Sequence, residues 1–195
     1  EALDVADMAI AREEKKIHKS NWKILVEGGL ESYHFKVAHR KTIGPYFEDN
    51  LSSYQMLGDH MRSVLMRSSM YTLNDLPPSQ WRLRDHANII YTFFPTTQLL
   101  VQQDHIVWIN SRPISATETE LRLVTLAPIS RLEDDEYWEK NHRITSNTLN
   151  EDFVIGESIQ AGLATGANEH MTFGRFEGAL PEFNRVVKRY TSAQA

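Results

Sequence analysis

The sequence predicts an α+β protein in which a curved antiparallel sheet grips a long helix. Between residues 60 and 128 the chain holds the runs HMRSVLMRSS, ANIIYTFFP, TQLLVQQDH, HIVWINSRPIS and TELRLVTLAP. They are short, rich in β-branched and aromatic residues and separated by turn-formers, as an antiparallel meander requires. On either side of this centre the apolar residues recur at three and four instead, the spacing of a helix with one buried face. Helices, then strands, then helices, in a chain of 195 residues, specify one α+β domain over 1 to 195.

Taken in order, LDVADMAIAREEKKIHKS has acids early, bases late and apolar residues at Leu3, Val5, Met8, Ala9 and Ile10. That pattern suits a first helix or helical linker ending near Ser20. Trp22, Leu25, Val26, Leu30 and Tyr33 continue at roughly helical spacing behind Asn21, a good N-cap, and predict a second helix over 22 to 34. KTIGPYFEDN, with its Gly-Pro pair, reads as a turn or loop, and LNDLPPSQW as a loop or short helix inside the strand-rich centre. From Leu132 the helical period returns with an acidic first turn and runs through Leu163, where Gly162, Gly166 and Asn168 mark its end. A last amphipathic helix over 179 to 190 places Leu180, Phe183, Val186, Val187 and Tyr190 on one face.

Composition narrows the function classes. A net charge of -5 with no basic block gives a phosphate-tracking surface nothing to build on, so nucleic acid is not expected as a partner. No apolar run approaches the roughly 18 residues that span a bilayer, so no membrane partner is expected. The first residues carry acids where a secretory signal carries Lys or Arg, which points to a cytoplasmic location. A first residue other than Met suggests a chain that begins inside a longer protein. There are no cysteines, so disulfides, thiol nucleophiles and Cys-held zinc or iron–sulfur centres are excluded from these residues. Any metal must be bound by His, Asp or Glu.

One stretch combines those types: NWKILVEGGLESYHFKVAH, residues 21 to 39. On a helix Glu31 and His34 lie about 60° apart and can reach one site, with Glu27 on the same stripe. His39, five residues beyond His34, is rotated by about 140°, nearly to the opposite face. The two histidines meet only if the helix ends or bulges between them, and the run toward Gly44-Pro45 permits such an ending. The other histidines, at 18, 60, 86, 105, 142 and 170, stand apart from carboxylate-rich patterning and read as surface or core residues.

The spacing Asn21-Trp22-Lys23, Glu27, Glu31, His34, His39 resembles the catalytic-domain signature of Rieske-type non-haem iron oxygenases, the ring-hydroxylating oxygenase α subunits. A second stretch, Glu151-Asp152-Phe153-Val154-Ile155-Gly156-Glu157-Ser158-Ile159-Gln160-Ala161-Gly162-Leu163, resembles the segment carrying that family's third iron ligand. The resemblance implies a helix-grip, START-like sheet wrapped on a long C-terminal helix, with Fe(II) held by His34, His39 and Asp152. Two imidazoles and one carboxylate on one face of an octahedron leave positions open for dioxygen. It also implies that Glu31 sits behind the metal, orienting a ligand histidine and bridging to the Rieske-cluster histidine of a neighbouring subunit. Glu151 reads as an acid on a solvated helix face. Gly28 and Gly29 stand where many relatives carry Asn and an aromatic. Two glycines weaken a helix by up to about 2 kcal/mol, so a bulge, a close contact or extra pocket room is expected there.

Members of this family begin with a Rieske domain whose [2Fe–2S] centre needs two cysteines and two histidines. The resemblance therefore makes this chain the catalytic half, with residues 1 to 20 as the connection to that domain. Electrons would come from NAD(P)H through a partner reductase or ferredoxin and the cluster, and the full-length protein would be a homotrimer. The substrate would be an aromatic compound or, given Glu at position 31 and a sequence separation of only 118 from His34 to Asp152, a quaternary amine. Tyr91, Phe93, Phe94, Trp108, Met56, Met66 and Met70 are candidates for an apolar pocket above the metal. Two other readings stay open: a non-catalytic helix-grip ligand-binding module, and a zinc-dependent hydrolase.

Overall fold

The computed structural model describes residues 4–168 and 170–192; Leu3 lies outside them. Seven strands form one antiparallel sheet: β1 Met8–His18, β2 Phe47–Leu57, β3 His60–Arg67, β4 Ala87–Phe93, β5 Thr97–Val101, β6 Ile106–Pro113 and β7 Thr119–Pro128. Their spatial order is β1-β7-β6-β5-β4-β3-β2, so strands 2 to 7 form a meander and the first strand closes beside the last. The helices are α1 Trp22–Glu27, α2 Phe35–Ala38, α3 Leu83–His86, α4 Asp135–Leu163 and α5 Ala179–Ser192.

Alternation along the strands decides which face is core. Leu121, Leu123, Val107, Ile109, Ile90 and Leu65 point to the helices, whereas Tyr91, Leu99 and Trp108, paired across β4, β5 and β6, share the opposite face. There Arg122 lies over the Trp108 ring. Two helical anchors close the inner face. Leu25 of α1 and Phe153 of α4 join Val107, Ile109, Leu121 and Leu123, and Phe183 and Ala179 of α5 pack with Val26, Leu30 and Met61.

Three expectations change. Residues 8 to 18 are a strand, not a helix: β1 pairs with β7 from Met8↔Pro128 to His18↔Thr119. Its strand character is masked because it is an edge strand whose covered face meets polar groups. Arg12 Nε donates to Glu139 (2.9 Å) and Lys16 Nζ to Ser146 Oγ (2.8 Å), both on α4. The second helix ends at Glu27, not near 34. The loop expected over 41 to 50 contains the start of β2, whose long, mostly polar run FEDNLSSYQML pairs with β3 on one side only.

Gly29 explains part of the glycine pair. A Cβ there would lie 2.7 Å from Nε2 of Gln98. The Gln98 amide is buried and donates to Val26 O and Thr92 Oγ1. Gly29→Ala is expected to cost about 1–3 kcal/mol by overpacking. Combined with Gln98→Ser, its cost should fall below the sum of the two single changes, as read from urea unfolding midpoints.

Candidate metal centre

The first histidine segment is built from two short helical pieces. Asn21 Oδ1 accepts the Lys23 N–H at 3.0 Å and starts α1, and Gly28 caps it by donating to Ile24 O. After a run of turns, α2 makes little more than one turn. Ala38 N–H donates to His34 O at 2.8 Å and His39 N–H to Phe35 O at 2.9 Å. His34 is the N-cap of this turn and His39 its C-cap, with φ -103° and ψ 22°, so a helical turn fills the interval between the two histidines and both stand just outside it, where a helix ending after His34 was expected. Gly44 then returns the chain against this turn. Its N–H donates to His39 O, and a Cβ would lie 2.7 Å from Phe35 O and 2.8 Å from His39 O, so only glycine fits.

Asp152 arrives from the middle of α4. One carboxylate oxygen stands 3.0 Å from His39 Nε2 and 3.5 Å from His34 Nε2, and one donor atom from each of the three residues lies within 4.8 Å of the others. Neither Nε2 has a hydrogen-bond partner, although both are buried. Buried imidazole nitrogens are normally satisfied; two that are not, aimed at one carboxylate, form a donor set that suits a bound cation.

The far side of each ring is held by a second carboxylate. Glu31 takes His34 Nδ1 and also accepts the Tyr33 N–H. Glu151 Oε2 takes His39 Nδ1 at 2.7 Å and the Thr42 hydroxyl at 2.8 Å. Glu31 thus meets His34 on the Nδ1 side of the ring, away from Asp152. Glu151 departs from the solvated-face reading: it is the matching partner of the other histidine. The only signal for it was its place next to Asp152, and that becomes informative only once Thr42 and His39 are known to pack on α4. Glu27 turns away from the cluster and accepts from Asn184 of α5 at 2.8 Å. There burial pushes its carboxyl pKa up, against the Asn184 hydrogen bond.

The electrostatics follow from this packing. Burial pulls the His34 imidazole down most strongly, but Asp152 and Glu31 outweigh it and push it up to about 9. His39 is raised in the same way, against burial, by Asp152 and Glu151. Burial raises the Asp152 carboxyl, and the two imidazoles more than reverse that. A divalent cation binding the same three atoms replaces the protons that otherwise balance this charge.

Asp152 separates two cavities. One, of about 450 Å³, is lined by His39, Phe35, Phe47, Leu65, Ile90 and Leu100 among others; the second, of about 540 Å³, by His34, Glu31, Ile155, Ile159, Met171 and Phe173 among others. None of the seven candidate pocket residues lines the first. Tyr91, Phe93, Trp108 and Met66 follow the outer parity of their strands, Met56 and Phe94 pack under α5, and Met70 belongs to the 3-10 segment Ser68–Asp75. Aromatic content identified strands correctly but not which face each residue takes.

A sheet covered by helices on one face, with two imidazoles and a carboxylate converging beneath it, defines a domain with a candidate mononuclear non-haem metal centre. The chain belongs to the ring hydroxylating α subunit (catalytic domain) family, whose sequence profile matches residues 7–193. It is 30% identical over 157 residues to the chloroplastic choline monooxygenase of Atriplex hortensis, covering 76% of this chain and 32% of that protein. Among solved structures it resembles the quaternary ammonium Rieske monooxygenase CntA in complex with an inhibitor (TM-score 0.71, 18% identity, 94% of this chain and 50% of that one). It also resembles dicamba monooxygenase bound to dicamba (TM-score 0.69, 12% identity, 94% and 58%). The chain thus spans about a third of the curated relative and about half of these structures. Among the described residues no helix is long and apolar enough to cross a membrane.

Removing the support behind one ligand should weaken the centre without unfolding it. Glu151→Ala is expected to lower metal affinity by about 10–100-fold, measured by competition with a chelating dye, with an unchanged circular dichroism spectrum.

Proposed function

We propose that this chain is the mononuclear-iron half of a Rieske-type oxygenase, in which His34, His39 and Asp152 hold Fe(II). The observation that carries this reading is the pair of buried, unpartnered Nε2 atoms facing one carboxylate, in a chain of this family. Iron held there supplies the reductive activation of dioxygen for oxidation of a small organic molecule by hydroxylation, dihydroxylation or demethylation.

The protein's own groups prepare that chemistry. Glu31 and Glu151 each accept an Nδ1 proton, which fixes the tautomer and leaves the Nε2 lone pair for the metal. The cavity bounded by Phe35, Phe47, Leu65 and Ile90 excludes water from the His39 and Asp152 side and holds the organic substrate there. Glu31 and His34 border the other cavity, so in this reading electrons enter from that side through Glu31. They originate from NAD(P)H, passing through a reductase or ferredoxin to a [2Fe–2S] cluster held outside this chain, in a homotrimer that brings one subunit's cluster to the next subunit's iron.

Anaerobic loading with Fe(II), followed by metal analysis, is expected to give one iron per chain. His34→Ala and Asp152→Ala should each abolish it; retention of iron by either variant overturns the ligand set. Selective retention of zinc, with hydrolysis in the absence of reductant, would favour the hydrolase reading instead. The iron-loaded chain by itself should form no product from NADH and dioxygen, and NADH-coupled product formation would overturn the external electron route.

A further inference from the structure

The cavity on the His39 side is apolar along most of its wall, and its charged side chains are two: Asp152, whose carboxylate faces the histidines, and Arg67. Arg67 closes β3 opposite Phe47 and is half-buried. Its guanidinium lies over the Phe47 ring, 5.7 Å from the centroid; Phe47 packs edge-on against Phe35 at 5.3 Å, and Phe35 against His39 at 5.3 Å. A ladder of three rings therefore leads from the cation to the metal cluster.

Arg67 has no carboxylate of its own. Nε and Nη2 both donate to one neutral acceptor, Asn88 Oδ1, at 3.2 and 2.7 Å. Among the described residues no acid lies within ion-pair distance of it. Glu48 is engaged by Ser68 and Lys36, and Asp104 by His105, Arg131 and Tyr137. Burial pulls the Arg67 pKa down, and only the distant charge of Asp104 opposes this. Arginine stays charged under such conditions, and a partly desolvated guanidinium with free donor capacity is a fork for a carboxylate.

We infer that the group binding this cavity is an apolar monocarboxylate, its carboxylate on Arg67 beside Asn88 and its hydrocarbon body lying along Phe47, Phe35, Leu65 and Ile90 toward His39 and Asp152. A quaternary ammonium ion meets the opposite situation: the side chain that would face it is a cation, and the cavity's carboxylate is taken up by the histidines. This assignment deepens the oxygenase reading, and rests on it only for what happens to the end of the ligand nearest the metal; the binding itself needs Arg67 and the apolar wall.

Calorimetric titration of the iron-loaded protein with three probes of similar shape tests it: 4-phenylbutyrate, 4-phenylbutyramide and (3-phenylpropyl)trimethylammonium. The acid is expected to bind at least about tenfold more tightly than the amide, the size of one charge-assisted hydrogen bond, and the ammonium ion more weakly than either. Arg67→Met should remove the preference for the acid, Arg67→Lys should retain part of it, and Asn88→Asp, which pairs the guanidinium internally and keeps it in place, should abolish it. Equal or tighter binding of the ammonium ion overturns the inference. So does an acid preference that survives both Arg67→Met and Asn88→Asp, or a failure of all three probes to bind. Iron content of the same samples separates the two readings: Arg67 variants should load iron normally, whereas retention of iron by His34→Ala, with an acid preference that still depends on Arg67, would sink the ligand set and leave the Arg67 site standing.

Discussion

The centre depends on a close approach between two helices far apart in sequence. Asp152 can face His34 and His39 only if α4 lies tightly against α1 and the turn that follows it. Gly156 makes the approach tight: a Cβ there would sit 3.3 Å from the Ile24 methyl and 3.6 Å from the Ser20 hydroxyl. Polar ties fix the sliding coordinate along α4. The Asn21 N–H donates to Gln160, the Lys19 N–H to Glu157, and the His18 ring packs on Phe153 with centroids 4.3 Å apart. Since β1 ends at His18 and α1 begins at Trp22, the same three-residue corner joins sheet, first helix and α4, and errors in it would move Asp152 away from His34 and His39.

Within that frame the acids are distributed so that each imidazole has one carboxylate behind it and both share one in front. Placing three carboxylates and two imidazoles in so little water is costly unless every charge is opposed. The opposite shifts of the histidines and Asp152 follow from that opposition. The arrangement also splits the space around Asp152 in two, with His39 and the apolar wall on one side and His34 with Glu31 on the other. In the proposed reading, substrate binding and electron entry are served by different sides of one cluster, and Arg67 borders the His39 cavity alone.

Much was legible in the sequence because it depended on local chemistry. The strand runs of residues 60 to 128 declare themselves by β-branched and aromatic content, and the acidic first turn with the three-and-four period declares α4. The interval between His34 and His39 ruled out one continuous regular helix through both, and the two histidines do stand as the caps of a single short turn, although that turn begins after His34 and does not end there. β1 is not legible as a strand because its inward groups meet polar partners on α4, which erases the alternation that normally marks a half-buried strand. The helical period overruns the end of α1 because Leu30 is buried under α5 whether or not it is helical; its apolar character satisfies that period without being caused by it.

By itself the sequence determined which residue types were on hand to bind a metal, the strand-rich centre followed by the long helix α4 and the last helix α5, and the family signature at residues 21 to 39 and 151 to 163. Those are properties of spacing and composition, and they survive without knowing how the chain folds back. Only the tertiary structure decided that Glu151 contacts His39, that the outer-face aromatics take no part in the cavity, and that Arg67 borders it with no acid in ion-pair distance among the described residues. Each of these turns on which face of a strand or helix meets which neighbour from elsewhere in the chain, and such contacts are set by packing of the sheet and helices and not by any local pattern.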